Sequence, residues 1–199
     1  MSCRKTPEKR KKEILNKAII HFNRFGYYKT SLDRLAAEIG ITKPAIYYHF
    51  KSKKNLFIEL FHFTINNYLD DITANVSESK SAEKRIRYFT QKSEDLFHKN
   101  SKILRFCLEF IIMGTRDKEI QKEVTKLYQT RIKTLSCIIK EGQTQGELKK
   151  MDADSLARLL FFISMGFFLM SFAAERNFDP DTQHAINMKA IFEGLKNNS

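Results

Sequence analysis

A stretch of 25 residues near the amino terminus, Thr30 to Lys54, constrains the fold more than any other part of the sequence. It reads TSLDRLAAEIGITKPAIYYHFKSKK. Apolar residues recur at helical spacing up to Gly40, and glycine accepts the left-handed backbone in which helices commonly end. A second helix is predicted from about Lys43 to Phe50, because Pro44 falls in its first turn, where a missing N–H does no harm. The stretch is therefore predicted to fold as two short helices joined by a tight turn.

Residues that cap helix starts precede each predicted helix. Thr30 is predicted to cap the first helix, Thr42 the second, and Ser52 a further helix that begins at Lys53. The hydroxyl of such a residue accepts a hydrogen bond from a backbone N–H of the first turn. The pattern indicates a helix-turn-helix followed directly by a longer helix.

The second helix is predicted to have one packed side and one free side. At about 100° per residue, Ile46 and Phe50 share a side, with Tyr47 and His49 on the flanks. The opposite side carries Pro44, Ala45 and Tyr48. A helix that enters the major groove of DNA meets base edges with its outer residues and phosphates with its flanks. The pattern therefore favours DNA binding.

The segment TKPAIYYHFKSKKNLF, preceded by TSLDRLAAEIG, closely resembles the DNA-binding signature of the TetR family of bacterial transcriptional regulators. The resemblance covers about Lys12 to Leu60. It implies an all-α fold with an N-terminal three-helix helix-turn-helix domain and a C-terminal helical bundle for ligand binding and dimerisation. It also implies a homodimer on double-stranded operator DNA, with repression usually relieved by a small-molecule effector. By position, the family's DNA contacts fall on Thr30, Thr42, Lys43, Pro44, Ala45, Tyr47, Tyr48, His49 and Lys53.

Base recognition is expected to use few side-chain hydrogen bonds. Pro44 and Ala45 cannot make them, so specificity would depend on Thr42, Lys43, Tyr48, thymine methyl contacts and DNA shape.

Positive charge is concentrated at the amino-terminal end of the chain. Residues 1–54 contain 14 Lys and Arg against 4 Asp and Glu, whereas the whole 199-residue chain has a net charge of +12. Such asymmetry predicts a polyanionic partner for this end.

Neither a disulfide framework nor a metal or other cofactor is expected. Cys3, Cys107 and Cys137 are too few and too far apart, and they fit a reducing cytoplasm. The five histidines make no ligand spacing. The basic first twelve residues lack the apolar core of a signal peptide.

The segment Leu159 to Ala174 is almost wholly apolar and raises the question of a membrane span. Its 16 residues fall short of the roughly 20 that a bilayer requires. A helix buried inside a bundle or dimer is the preferred interpretation, and no membrane is expected as a partner.

The predicted helices divide the chain into two domains. A first helix from about Lys9 to Phe25, ended by Gly26, completes a DNA-binding domain over residues 1–51. Residues 52–199 form the predicted ligand-binding and dimerisation domain. Its helices are expected near 52–75, 82–99, 102–114, 118–141, 152–175 and 180–196, the last capped by Asp179.

The second predicted domain is rich in bulky apolar residues that suit a cavity between helices. The candidates for the ligand site are Phe106, Phe110, Tyr128, Arg131, Phe162 and Met165. Arg131 would suit an anionic ligand, although exposure to solvent or pairing with a glutamate is the preferred interpretation. Glu109 raises the same question for a cationic ligand. By resemblance, the dimer would be formed by the last two helices through Phe161, Phe168, Phe172, Ile191 and Leu195.

Two functions compatible with DNA binding remain open. The preferred one is a ligand-responsive dimeric repressor on an inverted-repeat operator; the alternative is a DNA-binding regulator or chromosome-associated factor controlled by a protein partner. An enzyme is not expected, since the chain has no phosphate-binding loop and no G-x-S-x-G motif.

Overall fold

The computed structural model describes residues 6–76, 81–99, 101–175 and 177–196, with the side chains of 67–76, 93–99, 101, 168 and 172 outside that description. Within these ranges the chain forms nine helices and no strand, which confirms the all-α prediction. In chain order they are α1 Pro7–Lys29, α2 Leu32–Ile39, α3 Lys43–His49, α4 Lys53–Val76, α5 Ala82–Lys99, α6 Ser101–Gly114, α7 Lys118–Thr144, α8 Ala153–Ala173 and α9 Pro180–Leu195.

The caps of the helix-turn-helix differ from the sequence prediction at one position. Ser31, not Thr30, caps α2, since its side chain accepts a hydrogen bond from the N–H of Arg34. The prediction for Thr30 was wrong by one residue. Thr42 caps α3 as predicted, and Ser52 Oγ accepts from Asn55 N at 3.0 Å in the first turn of α4.

Two glycines shape the amino-terminal domain. Gly40 ends α2 in the left-handed conformation, with φ 74° and ψ 36°, as its place in the sequence predicted. Gly26 has φ 70° and ψ 172°, so it breaks α1 into a long helix before it and a short turn after it. That conformation is essentially restricted to glycine.

The described residues form two compact units. The first takes the described parts of Met1–Leu69 and Asn100–Val124, and the second those of Asp70–Lys99 and Thr125–Ser199. Helices α4 and α7 therefore contribute to both. The domain boundary predicted at residue 51 stays a prediction, and within the first unit the three N-terminal helices share a core with the start of α4 and with α6.

Five fully buried phenylalanines form the centre of the first unit. Their rings contact one another in pairs. The centroids of Phe22 and Phe57 are 4.8 Å apart, those of Phe57 and Phe106 5.0 Å, and those of Phe61 and Phe110 3.8 Å. The edge-to-face contacts of Phe57 with Phe22 and with Phe106 add to the hydrophobic stabilisation of burial. The cluster joins α1, α4 and α6.

The second unit has its own core between α5, the later part of α7, α8 and α9. Its buried apolar side chains include Ile86, Phe89, Leu135, Leu160 and Phe192. Near the end of the chain, Lys149 N donates to Leu195 O at 2.9 Å, which ties the segment before α8 to the end of α9. Asp152 and Asp179 cap α8 and α9.

Helix α8 is apolar on both sides, but the chain covers only one of them. Leu156, Ala157 and Leu160 are buried, whereas Leu159, Phe162, Leu169 and Met170 are 45–60% exposed. By length and composition alone, Ala153–Ser171 would suffice to cross a membrane, with a mean hydropathy of 1.6 and 24% of it buried. Core helices of soluble proteins meet the same criterion, so the observation is weak evidence for a span. The single chain therefore leaves one apolar face of α8 exposed.

Candidate nucleic-acid interface

Helix α3 is held by one side and presents the other to solvent. Ile46 and Phe50 are 0% and 1% exposed, whereas Tyr48 is 80% and Tyr47 45% exposed. Pro44 is exposed, and Ala45 and His49 are half-buried. The predicted division of this helix into a packed side and a free side is what the coordinates show.

The amino terminus of α3 carries a hydroxyl and a charge that are both engaged within the chain. Thr42 Oγ1 accepts from Ala45 N at 3.4 Å. Lys43 Nζ lies 2.9 Å from Asp33 Oδ2 on α2, and the hydrogen bond to this carboxylate raises the pKa of Lys43. No pattern in the sequence predicted this ion pair, which orients the lysine and offsets part of its charge.

Lys53 begins α4 and is fixed against the end of α1. Its Nζ donates to the backbone oxygen of Tyr28 at 3.1 Å and lies 4.9 Å from the centroid of the Tyr27 ring. Partial burial lowers the pKa of Lys53, and the nearby carboxylate of Glu109 opposes that effect. The lysine is thus held at the surface in a defined position.

Thr30 differs from the other predicted contact residues because its side chain is buried, with 4% exposure. Its Oγ1 lies 2.7 Å from Gly26 O and 3.2 Å from His21 O, both of which accept. The hydroxyl therefore stabilises the turn between α1 and α2.

Ion pairs fix the start of α4 beneath α3. Lys11 of α1 pairs with Glu59 of α4, and its Nζ lies 5.5 Å from the centroid of the Phe50 ring. On the other side, Lys54 Nζ lies 2.8 Å from Glu119 Oε2 and 3.1 Å from Asp117 Oδ2. Hydrogen bonds to Glu119 and Asp117 raise the pKa of Lys54 to about 12.

Glu109 of α6 has a structural role that sequence reasoning missed. Its Oε1 accepts a hydrogen bond from Tyr27 N at 2.6 Å. A Cβ added to Gly26 would lie 3.2 Å from the same oxygen. The carboxylate considered in the sequence for a cationic ligand therefore caps the turn that follows Gly26. A glutamate on an apolar helix gives no sequence signal for such a contact across 82 residues.

The predicted ligand residues fall into both units. Phe106 and Phe110 belong to the phenylalanine core of the first unit and are fully buried. Tyr128, Arg131, Phe162 and Met165 belong to the second. There the rings of Tyr128 and Phe162 stack at 6.2 Å, and Phe161 lies 5.4 Å from Tyr128.

Arg131 is buried, which excludes exposure to solvent, one of the two arrangements expected beside a ligand contact. It is 7% exposed, and its guanidinium carbon lies 5.1 Å from the centroid of the Phe89 ring on α5. A cation over an aromatic face is a favourable contact, and the flat guanidinium can stack there.

The predicted dimer residues differ in accessibility. Phe161 and Ile191 are half-buried, and Leu195 is 7% exposed within the single chain. The side chains of Phe168 and Phe172 lie outside the described residues.

Among the residues that the structure describes, no group of three or more His, Cys, Asp or Glu side chains is arranged to hold a metal ion. Burial raises the pKa of the Cys107 thiol to about 12, so this cysteine is a packing residue.

A short helix with an exposed aromatic face, seated through a glycine turn on two other helices in a basic segment, defines a helix-turn-helix DNA-binding transcription regulator. Residues 14–60 match the family described as "Bacterial regulatory proteins, tetR family". This segment is therefore a DNA-binding domain of the TetR type.

Known proteins of this kind are similar along most of the chain. The fatty acid metabolism regulator protein of Bacillus subtilis is 21% identical over 150 residues, 75% of this chain and 76% of the relative. The nucleoid occlusion factor SlmA of Shewanella pealeana is 27% identical over 134 residues, 67% of this chain and 68% of that protein. Among solved structures, a transcriptional regulator from Saccharomonospora viridis in complex with choline has a TM-score of 0.85 at 21% identity, covering 96% of this chain and 100% of its own.

Proposed function

We propose that this TetR-family regulator is a dimeric repressor that binds an inverted-repeat operator and is released by a small, largely apolar molecule. The observation that carries the proposal is the orientation of α3, which buries Ile46 and Phe50 and leaves Tyr47 and Tyr48 to solvent. A helix seated in this way can lie in the major groove with its aromatic side chains toward the bases. The regulator would act in the cytoplasm, on the nucleoid.

The proposed DNA contacts combine base recognition with phosphate binding. Tyr48 and the methyl-contacting surface of Pro44 and Ala45 would face the bases, with Tyr47 and His49 toward the two strands. Thr42, Lys43 and Lys53 would lie against the backbone, where charge positions the protein without reading sequence. Thr30 would act indirectly, since its hydroxyl is already bound to the chain's own carbonyl groups.

The proposed effector site is supported by the composition of the second unit and by one similar structure. Tyr128 and Phe162 stack on each other, Arg131 follows Tyr128 by about one turn on α7, and Met165 follows Phe162 by about one turn on α8. A set of aromatic side chains with one buried cation suits a ligand that is mainly apolar with a polar group. The regulator from Saccharomonospora viridis was solved with choline bound. Phe106 and Phe110 are fully buried in the phenylalanine core of the first unit and are not part of this proposed site.

The proposed dimer is supported by the uncovered face of α8. Leu159, Leu169 and Met170 recur at helical spacing and are 45–60% exposed in the single chain. An apolar stripe of this length on a monomer marks an interaction surface. A second copy of α8 and α9 would cover it, with Phe161, Phe168, Phe172, Ile191 and Leu195 in or beside the contact.

A second candidate is a DNA-binding factor controlled by a protein partner. The similarity to the nucleoid occlusion factor SlmA of Shewanella pealeana favours it. In that case the chain would still bind DNA through α3, and no small molecule would alter its affinity.

The experiment that tests the proposal is selection of bound sites from random duplex DNA by the purified protein at two salt concentrations. An inverted repeat, bound more weakly as salt rises, is the expected result, because the lysines displace counterions from phosphates. Failure to enrich any sequence from a folded dimer would contradict the repressor. The selected duplex then serves to screen small molecules. Release by an apolar ligand supports the preferred candidate, and release only by a protein from the same cell favours the second.

A further inference from the structure

We infer that Tyr28 is an additional DNA contact, whose phenolic hydroxyl donates a hydrogen bond to a backbone phosphate beside the groove occupied by α3. The inference rests on the proposed function, which supplies the duplex. Tyr28 lies outside the family signature residues assigned above and precedes the predicted helix-turn-helix by two residues.

The exposure of Tyr28 is unusual for an aromatic side chain. It is 80% exposed, equal to Tyr48 on the recognition helix and above the other exposed large hydrophobic residues in the described part of the chain. Its neighbour Tyr27 is half-buried and packs against Phe57 at 4.9 Å. The chain thus uses one tyrosine of the pair for its core and leaves the other in water.

The backbone that carries Tyr28 is fixed from three sides. Glu109 accepts from Tyr27 N at 2.6 Å, and Thr30 Oγ1 donates to Gly26 O at 2.7 Å. Lys53 Nζ donates to the carbonyl oxygen of Tyr28 itself at 3.1 Å. Because these bonds order the turn before any DNA is present, placing the ring on a ligand loses little conformational entropy.

Tyr28 lies next to one of the proposed phosphate contacts, Lys53. Lys53 is within hydrogen-bond distance of the Tyr28 carbonyl and begins α4 directly after the turn that follows α3. Lys29 and Lys51, one next to Tyr28 and one in that turn, are exposed. An exposed phenol next to Lys29 in the chain, on a backbone that Lys53 holds, suits a phosphate with its deoxyribose: the hydroxyl would donate to the oxygen and the ring would pack on the sugar.

The proposed contact of Tyr28 can be told apart from that of Lys53 by its dependence on salt. A phenol is neutral and displaces no counterion, whereas Lys53 carries a charge. Removing the Tyr28 hydroxyl should therefore lower affinity without changing its dependence on salt. Removing the Lys53 charge should reduce the slope of log affinity against log salt by about 1 per subunit bound.

The test compares Tyr28→Phe with the unaltered protein on two fluorescein-labelled duplexes, the selected inverted repeat and a scrambled sequence of equal length. A loss of about 3- to 10-fold on both duplexes is expected, with an unchanged salt slope, because the lost hydrogen bond is to a charged group common to all sequences. Phosphate ethylation interference should show one position per half-site that inhibits the unaltered protein and no longer inhibits Tyr28→Phe. Tyr88→Phe on α5 of the second unit is the matched control, with affinity unchanged.

Equal affinity and equal interference patterns for Tyr28→Phe and the unaltered protein would overturn the inference while leaving the proposed function intact. A loss confined to the selected duplex would also overturn it, since it would assign Tyr28 to base recognition. If the unaltered protein binds neither duplex, the proposed function and the inference fail together.

Discussion

Tyr48 is the residue whose removal tests base recognition most cleanly. It is 80% exposed, and its ring lies against that of its neighbour His49, with centroids 5.1 Å apart, so Tyr48→Ala should not change the melting temperature. We expect a loss of at least about tenfold in operator affinity and a smaller loss on scrambled DNA, since each good base contact contributes about 1–3 kcal/mol of discrimination. Fluorescence anisotropy on both duplexes measures the two losses of affinity. Equal losses on the two duplexes would remove Tyr48 from base recognition.

Asp33 is expected to restrain DNA binding through Lys43. Its Oδ2 lies 2.9 Å from Lys43 Nζ, so the lysine approaches DNA already paired with a carboxylate, which phosphates repel. Asp33→Asn should therefore raise affinity several-fold at low salt and steepen the salt dependence. Glu193→Gln, at an exposed position of α9, is the control for a general change of net charge. Weaker binding by Asp33→Asn would mean that the pair is needed to orient Lys43.

At single positions the sequence predicted side-chain exposure well where helical periodicity decides it. Ile46, Phe50 and Tyr48 face as their spacing requires. The prediction of the α2 cap failed, because Thr30 and Ser31 are adjacent and either hydroxyl could cap the helix. Only the tertiary structure, in which Thr30 donates to the backbone of α1, selects Ser31 as the cap. For Arg131 the sequence left exposure and a glutamate partner open. Exposure is excluded because the guanidinium lies buried against Phe89, 42 positions away, a contact that no local pattern indicates.

Among structural elements, the turn after Gly26 is the point at which α1 depends on one residue type. Its φ of 70° and ψ of 172° strain any other residue, and a Cβ there would lie 3.2 Å from Glu109 Oε1. We expect Gly26→Ala to destabilise the protein by about 1–3 kcal/mol. Gly194→Ala is the control, because α9 is helical there and an added Cβ meets nothing within 4 Å. It should stabilise by about 0.5–1 kcal/mol. Urea denaturation measures both, and equal effects would contradict the role given to Gly26.

The junction of α6 and α7 is held by Asp117, whose carboxylate has two tasks. Oδ1 accepts from the backbone N–H groups of Glu119 at 2.9 Å and Ile120 at 3.2 Å, while Oδ2 pairs with Lys54 at 3.1 Å. The hydrogen bond from Lys54, aided by those from Ile120 and Glu119, lowers the pKa of Asp117. A lowered pKa means that the folded state favours the charged form, so this stabilisation is present above the ordinary pKa and is lost as pH falls through the folded value.

Two substitutions of Asp117 separate the charge from the cap. Asp117→Asn keeps an oxygen for the cap and should cost less than about 1 kcal/mol at pH 7, since exposed pairs contribute little. Asp117→Ala should cost about 1 kcal/mol more. Melting temperatures from pH 7 to pH 3 should show the difference between the unaltered protein and Asp117→Asn persisting to about pH 4 and closing below it. A difference that grows toward acid pH would show that the ion pair does not stabilise the fold.

The helices themselves were largely predictable, and their partners were not. Caps, glycines and apolar periodicity located all nine helices of the described residues to within a few positions. Nothing in those local signals indicates that α6 shares a core with α1 and α4, because the contact of Phe110 with Phe61 joins residues 49 apart. The same limit applies to Glu109 and to the pairs made by Lys54.

For the whole molecule, the decisive question is what covers the open face of α8. The single chain leaves an apolar stripe there, and a membrane, a second copy and a protein partner would each be able to cover it. The proposed binding to an inverted repeat favours a second copy, because two recognition helices in successive grooves require a two-fold symmetric pair. Dimerisation and operator binding should therefore be lost together.

Met170→Glu tests whether operator binding depends on dimerisation. Met170 is 60% exposed on the open face, so the substitution should leave the subunit folded but place an unpaired charge in the dimer contact. We expect a monomer by light scattering and a loss of about 100-fold or more in operator affinity, because the second half-site no longer binds at high effective concentration. Met151→Glu, at a 54% exposed methionine before α8, should remain dimeric and bind normally. A Met170→Glu protein that stays dimeric would place the interface elsewhere, and a monomer with full affinity would show that one recognition helix suffices.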